Sequence, residues 1–417
     1  MSWFSVTDPD AAPASNFHPV TSTLTGYGPL TDQDTAWDCS THKGFRSETQ
    51  IWYTILTDGS WVMVQIIWSY LGLFLVPATC QMTFKIYNPH AKKAVWKSIS
   101  ASGFKPNGRS CKSDHFDIKH TGAASGEESY HIVAHLDKHV QFDLVFRRPA
   151  EAPGVKFGAG EMGGISTFGK DKEDGIALHR FLPLMYSSGT FTLDGKVVDA
   201  KGDGMFVRAI QGMRPDSLAT RWNFAFFTTG GGIEEGPLGG VRAIQMEFET
   251  TDAYGPKGHK SGRTKVNVGV VTITSLPSPL IVVGQTHHAS SDAFPRLSKD
   301  ISAATHLGVV KDKDTGYYAP TGISFVWEGD RVDGKGRAGA KVVQEKAGAT
   351  VGEGGLIEKV DVLGEIPLLI RKGLAAVTGT KPYIFQYQNP ATLEVTLDGE
   401  TTPVKGWLFD EATFISD

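Results

Sequence analysis

Five polar side chains interrupt strands that are otherwise apolar, and they are the clearest candidates for chemistry in the sequence. They are Arg208, Gln211, Arg221, Asn223 and Glu247. A polar side chain among buried strand residues has to be hydrogen-bonded or paired with an opposite charge. One interpretation is that these groups hold the polar part of a small molecule at the floor of an apolar cavity. The alternative is a structural Arg–Glu ion pair that ties two sheets together.

The histidines do not form a convincing metal site. His131, His135 and His139 recur every four residues, and on a helix this spacing would place them on one face, where they could bind zinc. The surrounding pattern predicts a β-hairpin instead, in which His131 and His135 point away from the apolar face. His287 and His288 have no cysteine or carboxylate nearby at ligand spacing. We therefore expect no bound metal.

Other catalytic motifs are weak or missing in the sequence. Residues 158–163 match the G-x-G-x-x-G dinucleotide fingerprint literally, but the residues that follow start no helix that could receive a pyrophosphate. We interpret them as a crossover between strands. There is no G-x-S-x-G nucleophile elbow and no phosphate-binding loop. The sequence predicts no catalytic residue and no cofactor, and it favours a protein that is not an enzyme.

Composition excludes some partners and indicates the class of fold. The 417 residues carry 41 basic and 45 acidic side chains, a net charge of −4, which argues against a nucleic-acid-binding protein. The three cysteines are too few and too far apart for a disulfide framework, so we expect a reducing, cytoplasmic location. The 48 glycines and 10% aromatic residues are typical of strands joined by tight turns. The length suggests two or three domains.

One uncharged stretch, residues 60–84, admits two interpretations. It is long and apolar enough to span a bilayer as a helix. However, Asp58–Gly59 is a turn signal before it, and Ser69–Gly72 lies at its midpoint, where a hairpin turn would fall. We interpret the stretch as two buried strands. A continuous apolar run then means that both strand faces are covered, or that one face lines an apolar cavity.

The rest of the chain shows the same β pattern with one helical exception. Strands are predicted at residues 48–56, 79–87, 130–136, 140–147, 190–193, 197–200, 205–210, 222–227, 243–248, 266–273, 323–327, 383–387, 393–397 and 407–409. Apolar residues at helical spacing predict a short helix within 366–377. Residues 277–314 are rich in Pro, Ser and His and are expected to form a long mobile loop.

Several ordered motifs resemble one known family. They are Gly202–Phe206, Ala209–Pro215, Ala219–Phe224, Val360–Pro367, Gly379–Tyr387 and Glu411–Ser416. From about Tyr27 to its end, the chain resembles the fungal oxidative-stress survival-factor family. The resemblance implies an all-β fold with two lipocalin-like antiparallel β-barrel domains and a short helix near the C-terminus. We place a flexible segment at residues 1–40, the first domain at 41–213 and the second at 214–417.

The resemblance also implies a function. Family members bind ceramide, carry it from the endoplasmic reticulum to the Golgi without vesicles, and support survival under oxidative stress. They dock on membranes through a short N-terminal amphipathic helix. Here Asp8–Pro9–Asp10 would break such a helix, although Trp3 and Phe4 could still rest at a membrane interface. Related paired-lipocalin proteins of fungi include pericyclases, so a cyclase using the same cavity is the alternative.

The sequence therefore predicts a cytoplasmic carrier of an apolar lipid, ceramide or a related sphingolipid, with peripheral contact to endoplasmic reticulum and Golgi membranes. The domains are expected to meet near residues 211–222. Polar groups such as Arg208, Arg221, Asn223 and Glu247 would hold the lipid's amide and hydroxyls if they face the cavity. If so, Arg221→Ala should lower lipid loading more than stability. The predicted ligand contacts are Trp52, Trp61, Trp68, Phe84, Phe206, Arg208, Gln211, Arg221, Trp222, Asn223, Glu247 and Tyr383.

Overall fold

The chain folds into two large curled antiparallel sheets, as seen in a computed structural model of the protein. The structure describes residues 15–41, 44–73, 75–255, 262–288, 294–362 and 381–416. Every strand pairing among these residues is antiparallel, and most link strands adjacent in the sequence, as in a β-meander.

The first sheet contains sixteen strands among the described residues. They are β1 (Phe17–His18), β2 (Tyr27–Pro29), β3 (Arg46–Leu56), β4 (Trp61–Tyr70), β5 (Thr79–Asn88), β6 (Lys93–Ala101), β7 (Lys105–Asn107), β8 (Ser110–Lys112), β9 (Phe116–Gly122), β10 (Glu128–His135), β11 (Val140–Arg148), β12 (Val155–Phe157), β13 (Ile165–Phe168), β14 (Gly175–Leu193), β15 (Lys196–Asp199) and β16 (Gly202–Gln211). The order of its main path is β6-β5-β4-β3-β16-β14-β11-β10-β9-β8-β7.

The second sheet contains ten strands among the described residues. They are β17 (Ala219–Thr228), β18 (Val241–Thr250), β19 (Lys265–Ile273), β20 (Ile281–His287), β21 (Ile301–Lys311), β22 (Tyr318–Asp330), β23 (Arg337–Gln344), β24 (Leu356–Asp361), β25 (Tyr383–Leu397) and β26 (Glu400–Phe414). The order is β20-β19-β18-β17-β26-β25-β23-β22-β21, with β24 on β25. The short helix α1 (Pro215–Leu218) connects the sheets, and two 3₁₀ helices lie at Val20–Ser22 and Asp32–Thr35. The predicted boundary at 213/214 falls in this connection.

The uncharged stretch forms a hairpin, which confirms the β interpretation of residues 60–84. Strands β4 and β5 pair with Trp61 opposite Tyr87 and Ser69 opposite Thr79. Within the described ranges, no helix has the length and hydropathy of a membrane span.

Strand alternation divides the apolar residues of the first sheet between two cores. On β3, Trp52 and its even-numbered neighbours face the concave interior of the sheet, where the apolar cluster includes Phe84, Phe146 and Phe206. The odd-numbered Tyr53 faces outward. Because successive side chains of a strand point to opposite faces, each continuous apolar run contributes side chains both to the interior of the sheet and to its outer face. The second sheet has an equivalent interior cluster.

A third apolar cluster lies where the outer faces of the two sheets meet. Trp61 of the first sheet stacks on Phe409 of the second, with ring centroids 4.3 Å apart and an interplanar angle of 19°. Tyr53 lies 5.5 Å from Phe224 and 5.5 Å from Phe409. Offset aromatic pairs of this kind add stability beyond the area that they bury. We call this cluster the intersheet core, and it joins the two sheets.

Two expectations about irregular segments differ from the structure. Residues 277–314 are not one long loop, because β20 and β21 lie within them and Ile281 and Val283 are buried. The apolar run of β20 is short and the burial of β21 is irregular, so neither gives a clear strand pattern. Part of the N-terminal segment expected to be flexible is integrated into the first sheet through β1 and β2. The predicted helix within 366–377 lies outside the described residues.

The intersheet core predicts the effect of a mutation. Trp61 is fully buried between the sheets, so Trp61→Ala should leave a cavity and lower the free energy of unfolding by about 3–5 kcal/mol. Trp61→Phe keeps an aromatic ring against Phe409 and should cost less. Chemical denaturation monitored by circular dichroism would measure both variants. An unfolding midpoint for Trp61→Ala equal to that of the wild type would contradict this role.

Candidate functional site

A cavity of about 370 Å³ lies between the two sheets, next to the intersheet core. The first sheet contributes outward-facing residues of β3, β4, β5, β14 and β16, and the second contributes residues of β17, β18, β25 and β26. Helix α1, the connection between the sheets, lies at its edge through Pro215 and Asp216. The sheets therefore form opposite walls of one cavity where their outer faces separate.

The deep part of the cavity is apolar. Its apolar walls are Ile51, Tyr53, Ile67, Phe181, Val207, Ala209, Trp222, Phe224, Met246, Ile384 and Ile415. Tyr53 and Phe224 are buried, whereas Ser69 at the end of β4 is partly exposed. Burial thus decreases along the strands toward one end of the sheets. The opening there is lined by Phe45, Leu71, Thr79, Val362 and Pro382, which we call the rim.

The polar side chains of the cavity are mostly hydroxyls and amides that carry no charge. They are Ser47, Thr49, Gln65, Ser69, Thr79, Gln81, Gln211 and Thr413. Burial lowers the pKa of His179 to about 4, so its imidazole is neutral at physiological pH. Asp216 is paired with Arg214 beside the opening, at 3.0 Å. The cavity can therefore accept and donate hydrogen bonds without presenting an unpaired charge from these groups.

The remaining carboxyl of the cavity, Glu411, ends a hydrogen-bonded chain. Lys85 donates to the Gln386 Oε1 atom at 2.7 Å, and the Gln386 Nε2 atom donates to Glu411 at 2.7 Å. Burial raises the pKa of Glu411, although the hydrogen bond from Gln386 and the charge of Lys85 oppose this effect. Burial also raises the pKa of the neighbouring Tyr53 hydroxyl well above its ordinary value. Both environments favour the uncharged form.

Arg208 lies inside the first sheet rather than in the cavity. It is fully buried and forms an ion pair with the fully buried Glu48 of the neighbouring strand. Its guanidinium also donates to the Ala36 carbonyl at 3.0 Å and lies 4.9 Å from the Trp37 ring centre. Arg208 therefore forms a structural ion pair within the first sheet, not one that ties the two sheets together, and this pair fastens the N-terminal segment to strands β3 and β16.

Asn223 and Glu247 belong to a polar network in the interior of the second sheet. Glu247 accepts hydrogen bonds from Asn223 and Asn267, each at 2.9 Å. His306 bonds to the Asn223 oxygen at 2.9 Å, and burial lowers its pKa to about 4. Arg221, two residues before Asn223, is exposed, with its guanidinium 6.0 Å from the Phe414 ring centre. Neither Asn223 nor Glu247 lines the cavity between the sheets.

The other predicted ligand contacts lie in different parts of the structure. Gln211 and Trp222 line the cavity. Trp61 lies in the intersheet core, and Tyr383 packs partly buried against the interior of the second sheet. The interior of the first sheet holds Trp52, Trp68, Phe84 and Phe206. Trp3 and Phe4 lie outside the described residues.

The cavity residues that were not predicted lie on one face of their strands. The alternation of odd- and even-numbered positions is the sequence signal that could have identified them. On β3 the even-numbered residues enter the first sheet and the odd-numbered residues reach the cavity; β16 repeats this alternation. The predicted polar Arg208 and the predicted aromatic Trp52 both have even numbers. Thr49, Ile51 and Ala209 have no unusual side chain, so only the face that they share with Gln211 could have identified them.

The structure shows what surrounds the histidine and glycine motifs that were considered in the sequence. His131 bonds to Asp143 at 2.7 Å, and His139 bonds to Asp194 at 2.7 Å, both on the exposed face of the hairpin or at its turn. In the described part of the chain, no group of three or more His, Cys, Asp or Glu residues is arranged to hold a metal ion. Residues 158–163 join β12 to β13, so a strand rather than a helix follows the glycines.

Two adjacent carboxyls of β26 point to opposite faces of the second sheet. Glu411 faces the cavity, and the fully buried Asp410 faces the sheet interior. Neither Asp410 oxygen has a hydrogen-bond partner among the described residues. Burial, reinforced by Glu411, raises the pKa of Asp410 well above its ordinary value. An unpartnered carboxylate at this position would be costly, so the structure favours the protonated form of Asp410.

Comparisons of the sequence identify a family. The model of the Svf1 family matches residues 2–416. The ceramide-binding protein svf1 of Emericella nidulans is 31% identical over 402 residues, covering 94% of this chain and 90% of that protein. The ceramide-binding protein SVF1 of Yarrowia lipolytica is 31% identical over 423 residues, covering 97% and 95%. The protein of the same name in Schizosaccharomyces pombe is 29% identical, covering 95% and 93%.

Comparisons of the structure identify the fold. The crystal structure of CghA superposes with a TM-score of 0.53 at 11% identity, covering 97% of this chain and 99% of that one. A putative AttH from Nitrosomonas europaea superposes with a TM-score of 0.50 at 12% identity, covering 92% and 96%. At such low identity these likenesses establish the lipocalin-like fold alone. They confirm the predicted fold class.

The different surroundings of the two arginines predict different effects of removing them. Arg208→Ala would leave the buried Glu48 with Arg46 and the backbone N–H groups of Asp38 and Cys39 as its partners, so we expect a loss of about 3 kcal/mol in the free energy of unfolding, the lower end for a broken buried pair. Arg221→Ala removes an exposed side chain and should change stability by about 0.5 kcal/mol or less. Urea denaturation of both variants would measure the difference. Equal destabilisation would show that the buried pair is not a main contact of the first sheet.

The protonated state of Asp410 predicts a pH-dependent effect of Asp410→Asn. Between its ordinary pKa of 3.8 and its raised folded pKa, the unfolded chain loses the proton that the folded chain retains. Wild-type stability therefore falls as pH rises through this window, whereas asparagine has no proton to lose. We expect Asp410→Asn to melt like the wild type near pH 4 and at a higher temperature near pH 8.

Calorimetry at the two pH values would test this prediction. The exposed Asp171→Asn is the matched control, and we expect it to leave the melting temperature unchanged at both. A melting temperature of Asp410→Asn that is unchanged or lower near pH 8 would contradict the predicted state of the carboxyl.

Proposed function

The chain belongs to the Svf1 family, and on this premise we propose that it binds ceramide in the cavity between its two sheets. The relatives in Emericella nidulans and Yarrowia lipolytica are named ceramide-binding proteins and match almost the whole chain. The family expected from the sequence motifs is thus confirmed. These relatives are named as binding proteins, which supports a non-enzymatic function here.

The observation that carries the proposal is the chemistry of the cavity lining. Its deep walls are aliphatic and aromatic, and most of its polar side chains are hydroxyls and amides. Burial lowers the pKa of His179 and raises the pKa of Glu411, and Asp216 is paired with Arg214. Ceramide is itself uncharged and combines long hydrocarbon chains with one amide and hydroxyl groups. An apolar chain would gain about 0.8 kcal/mol for each methylene group removed from water. The cavity therefore matches this lipid class better than it matches a charged metabolite.

The distribution of polar groups suggests how the lipid would lie. Ser47, Ser69, Thr79, Gln81 and Gln211 cluster toward the rim, where they could hydrogen-bond to the amide and hydroxyls. The deep walls would receive hydrocarbon. A volume of about 370 Å³ is near the lower end of the range for drug-sized ligands, about 300–1,000 Å³. We therefore expect the cavity to hold part of the lipid, with the remaining chain leaving through the rim.

The cellular part of the proposal rests on family membership. We propose that the protein works in the cytoplasm, exchanges ceramide between endoplasmic reticulum and Golgi membranes without vesicles, and thereby supports survival under oxidative stress. Loss of the gene should then slow the arrival of labelled ceramide at the Golgi and sensitise cells to peroxide. Normal ceramide delivery in the deletion strain would contradict the transport part of the proposal.

A cavity-filling substitution tests the binding site. Ala209→Phe places a ring inside the cavity and should weaken ceramide binding by about tenfold or more, because the ring occupies space that the lipid needs. The matched control Ala94→Phe changes an exposed strand alanine outside the cavity and should bind normally. Binding would be measured with fluorescent ceramide delivered from cyclodextrin, and circular dichroism would verify folding.

The same preparation distinguishes the competing functions. Lipids that co-purify with the wild-type protein can be identified by mass spectrometry after denaturation. If the folded protein carries no ceramide and refuses added ceramide, the binding proposal fails. A reactive polyketide that the protein then converts to a cyclic product would establish the cyclase alternative instead.

A further inference from the structure

The connection between β4 and β5 exposes large apolar side chains beside the cavity. Its described residues are 71–73 and 75–78, which we call the tip. Leu73 is 57% exposed and Leu75 is 88% exposed, the highest value among the exposed large hydrophobic residues described. Exposed apolar side chains that lie together on the surface of a soluble protein often mark an interaction site. Neither leucine lines the cavity, so the ceramide site does not explain their exposure.

The tip is continuous with the rim of the cavity. Leu71 starts the tip and Thr79 follows it, and both line the cavity opening. Gly72 lies so close to Gly44 that an added Cβ atom would come within 2.6 Å of its carbonyl carbon. The tip is therefore held against the segment that carries Phe45, another rim residue. A surface that received Leu73 and Leu75 would also meet the opening of the cavity.

The charge pattern around the tip favours a lipid surface. No charged residue occurs between Ser60 and Phe84, so β4, the tip and the adjoining first half of β5 can approach hydrocarbon without burying a charge, whereas Lys85 lies in the half of β5 away from the tip. At the other side of the rim, the exposed Lys381 precedes Pro382 and could meet anionic lipid headgroups. Two leucines on a narrow hairpin end offer much less area than the roughly 800 Å² per partner of a stable protein interface. Insertion into a bilayer needs no such area.

We propose that the tip inserts Leu73 and Leu75 into a membrane and thereby applies the rim of the cavity to the bilayer. This inference rests on the proposed function, because the lipid exchanged at the rim is the proposed ceramide. An apolar chain could then pass from the bilayer into the deep walls without crossing water, and the amide and hydroxyls would follow as far as the polar side chains near the rim. The protein would contact the membrane through the hairpin end and not through a spanning segment.

A matched pair of double variants tests the proposal in the full chain. L73D/L75D places two charges on the tip. V197D/V351D makes the same chemical change at two exposed valines, 69% and 56% exposed, that lie toward the opposite end of the sheets. Val197 lies on β15 opposite Thr192, near the far end of β14, and Gly352, next to Val351, approaches Lys92 in the β5–β6 turn.

Each protein would be floated with vesicles of phosphatidylcholine and phosphatidylserine, then assayed for extraction of ceramide from vesicles and for loading from cyclodextrin. We expect L73D/L75D to lose roughly tenfold or more in flotation and extraction, because charged side chains cannot replace the leucines in hydrocarbon. Its loading from cyclodextrin should equal that of the wild type. V197D/V351D should behave as the wild type in all three assays.

A direct probe locates the tip at the bilayer. Leu75→Cys, labelled with an environment-sensitive fluorophore in a Cys39→Ser background, should show a blue shift on adding vesicles. The same label at Val197→Cys should not. Unchanged flotation of L73D/L75D together with no spectral shift at position 75 would overturn the proposal. So would an oligomer of the wild type that L73D/L75D converts to monomers while vesicle binding is kept.

Failure of ceramide binding would be recognised separately. In that case the wild type would float and show the shift at position 75, yet take ceramide from neither vesicles nor cyclodextrin. This result would remove the proposed ligand and leave the tip as a membrane contact. Loading from cyclodextrin with no flotation and no spectral shift would have the opposite meaning, since the lipid site would stand and the membrane contact would be overturned.

Discussion

The packing of two outer sheet faces against each other is the contact on which the rest of this structure depends. A curled sheet normally covers its concave face with its own side chains and leaves its outer face to water. Here Tyr53 and Trp61 make the outer face of the first sheet apolar, and Phe224 and Phe409 do the same for the second. Neither face could stay in water at low cost. The sheets therefore join, and the cavity exists where their faces separate.

The same division of strand faces explains the buried charges. Inside the first sheet, Arg208 and Glu48 neutralise each other and fasten the N-terminal segment across the sheet. Inside the second, Glu247 is held by two asparagine side chains. These groups specify how strands and segments meet, because an unpartnered charge in either interior would cost several kcal/mol. In the wall between the sheets most polar side chains are hydroxyls and amides, and its two carboxyls have partners, Arg214 for Asp216 and Gln386 for Glu411.

The shape of the cavity and the surface beside it support one account of lipid exchange. The deep walls are apolar, the neutral polar groups concentrate toward the rim, and the tip with Leu73 and Leu75 adjoins that rim. Hydrocarbon would then lie deepest and the amide and hydroxyls nearest the opening. The lining thus becomes more polar from the deep walls toward the rim. This order suits a lipid that enters the cavity with its hydrocarbon chain first, because the chain reaches the apolar walls and the polar part stays near the rim. The wider lipocalin-like fold, shared with CghA at 11% identity, does not determine this chemistry.

The sequence by itself determined the class of fold, the β4–β5 hairpin and the ordered motifs that identify the family, because alternation, turn residues and short motifs are local properties. It also indicated that domains meet near Gln211 and Trp222, which line the cavity. It could not decide which strand face meets which neighbour. Arg208 and Glu48 are 160 residues apart in the chain, and only the pairing of β3 with β16 brings them together. Likewise Trp52 and Trp61 look equivalent in sequence, yet one fills a sheet interior and the other joins the sheets. Only the tertiary structure decided between these two positions, because the core that a strand face joins depends on which distant segments of the chain pack against it.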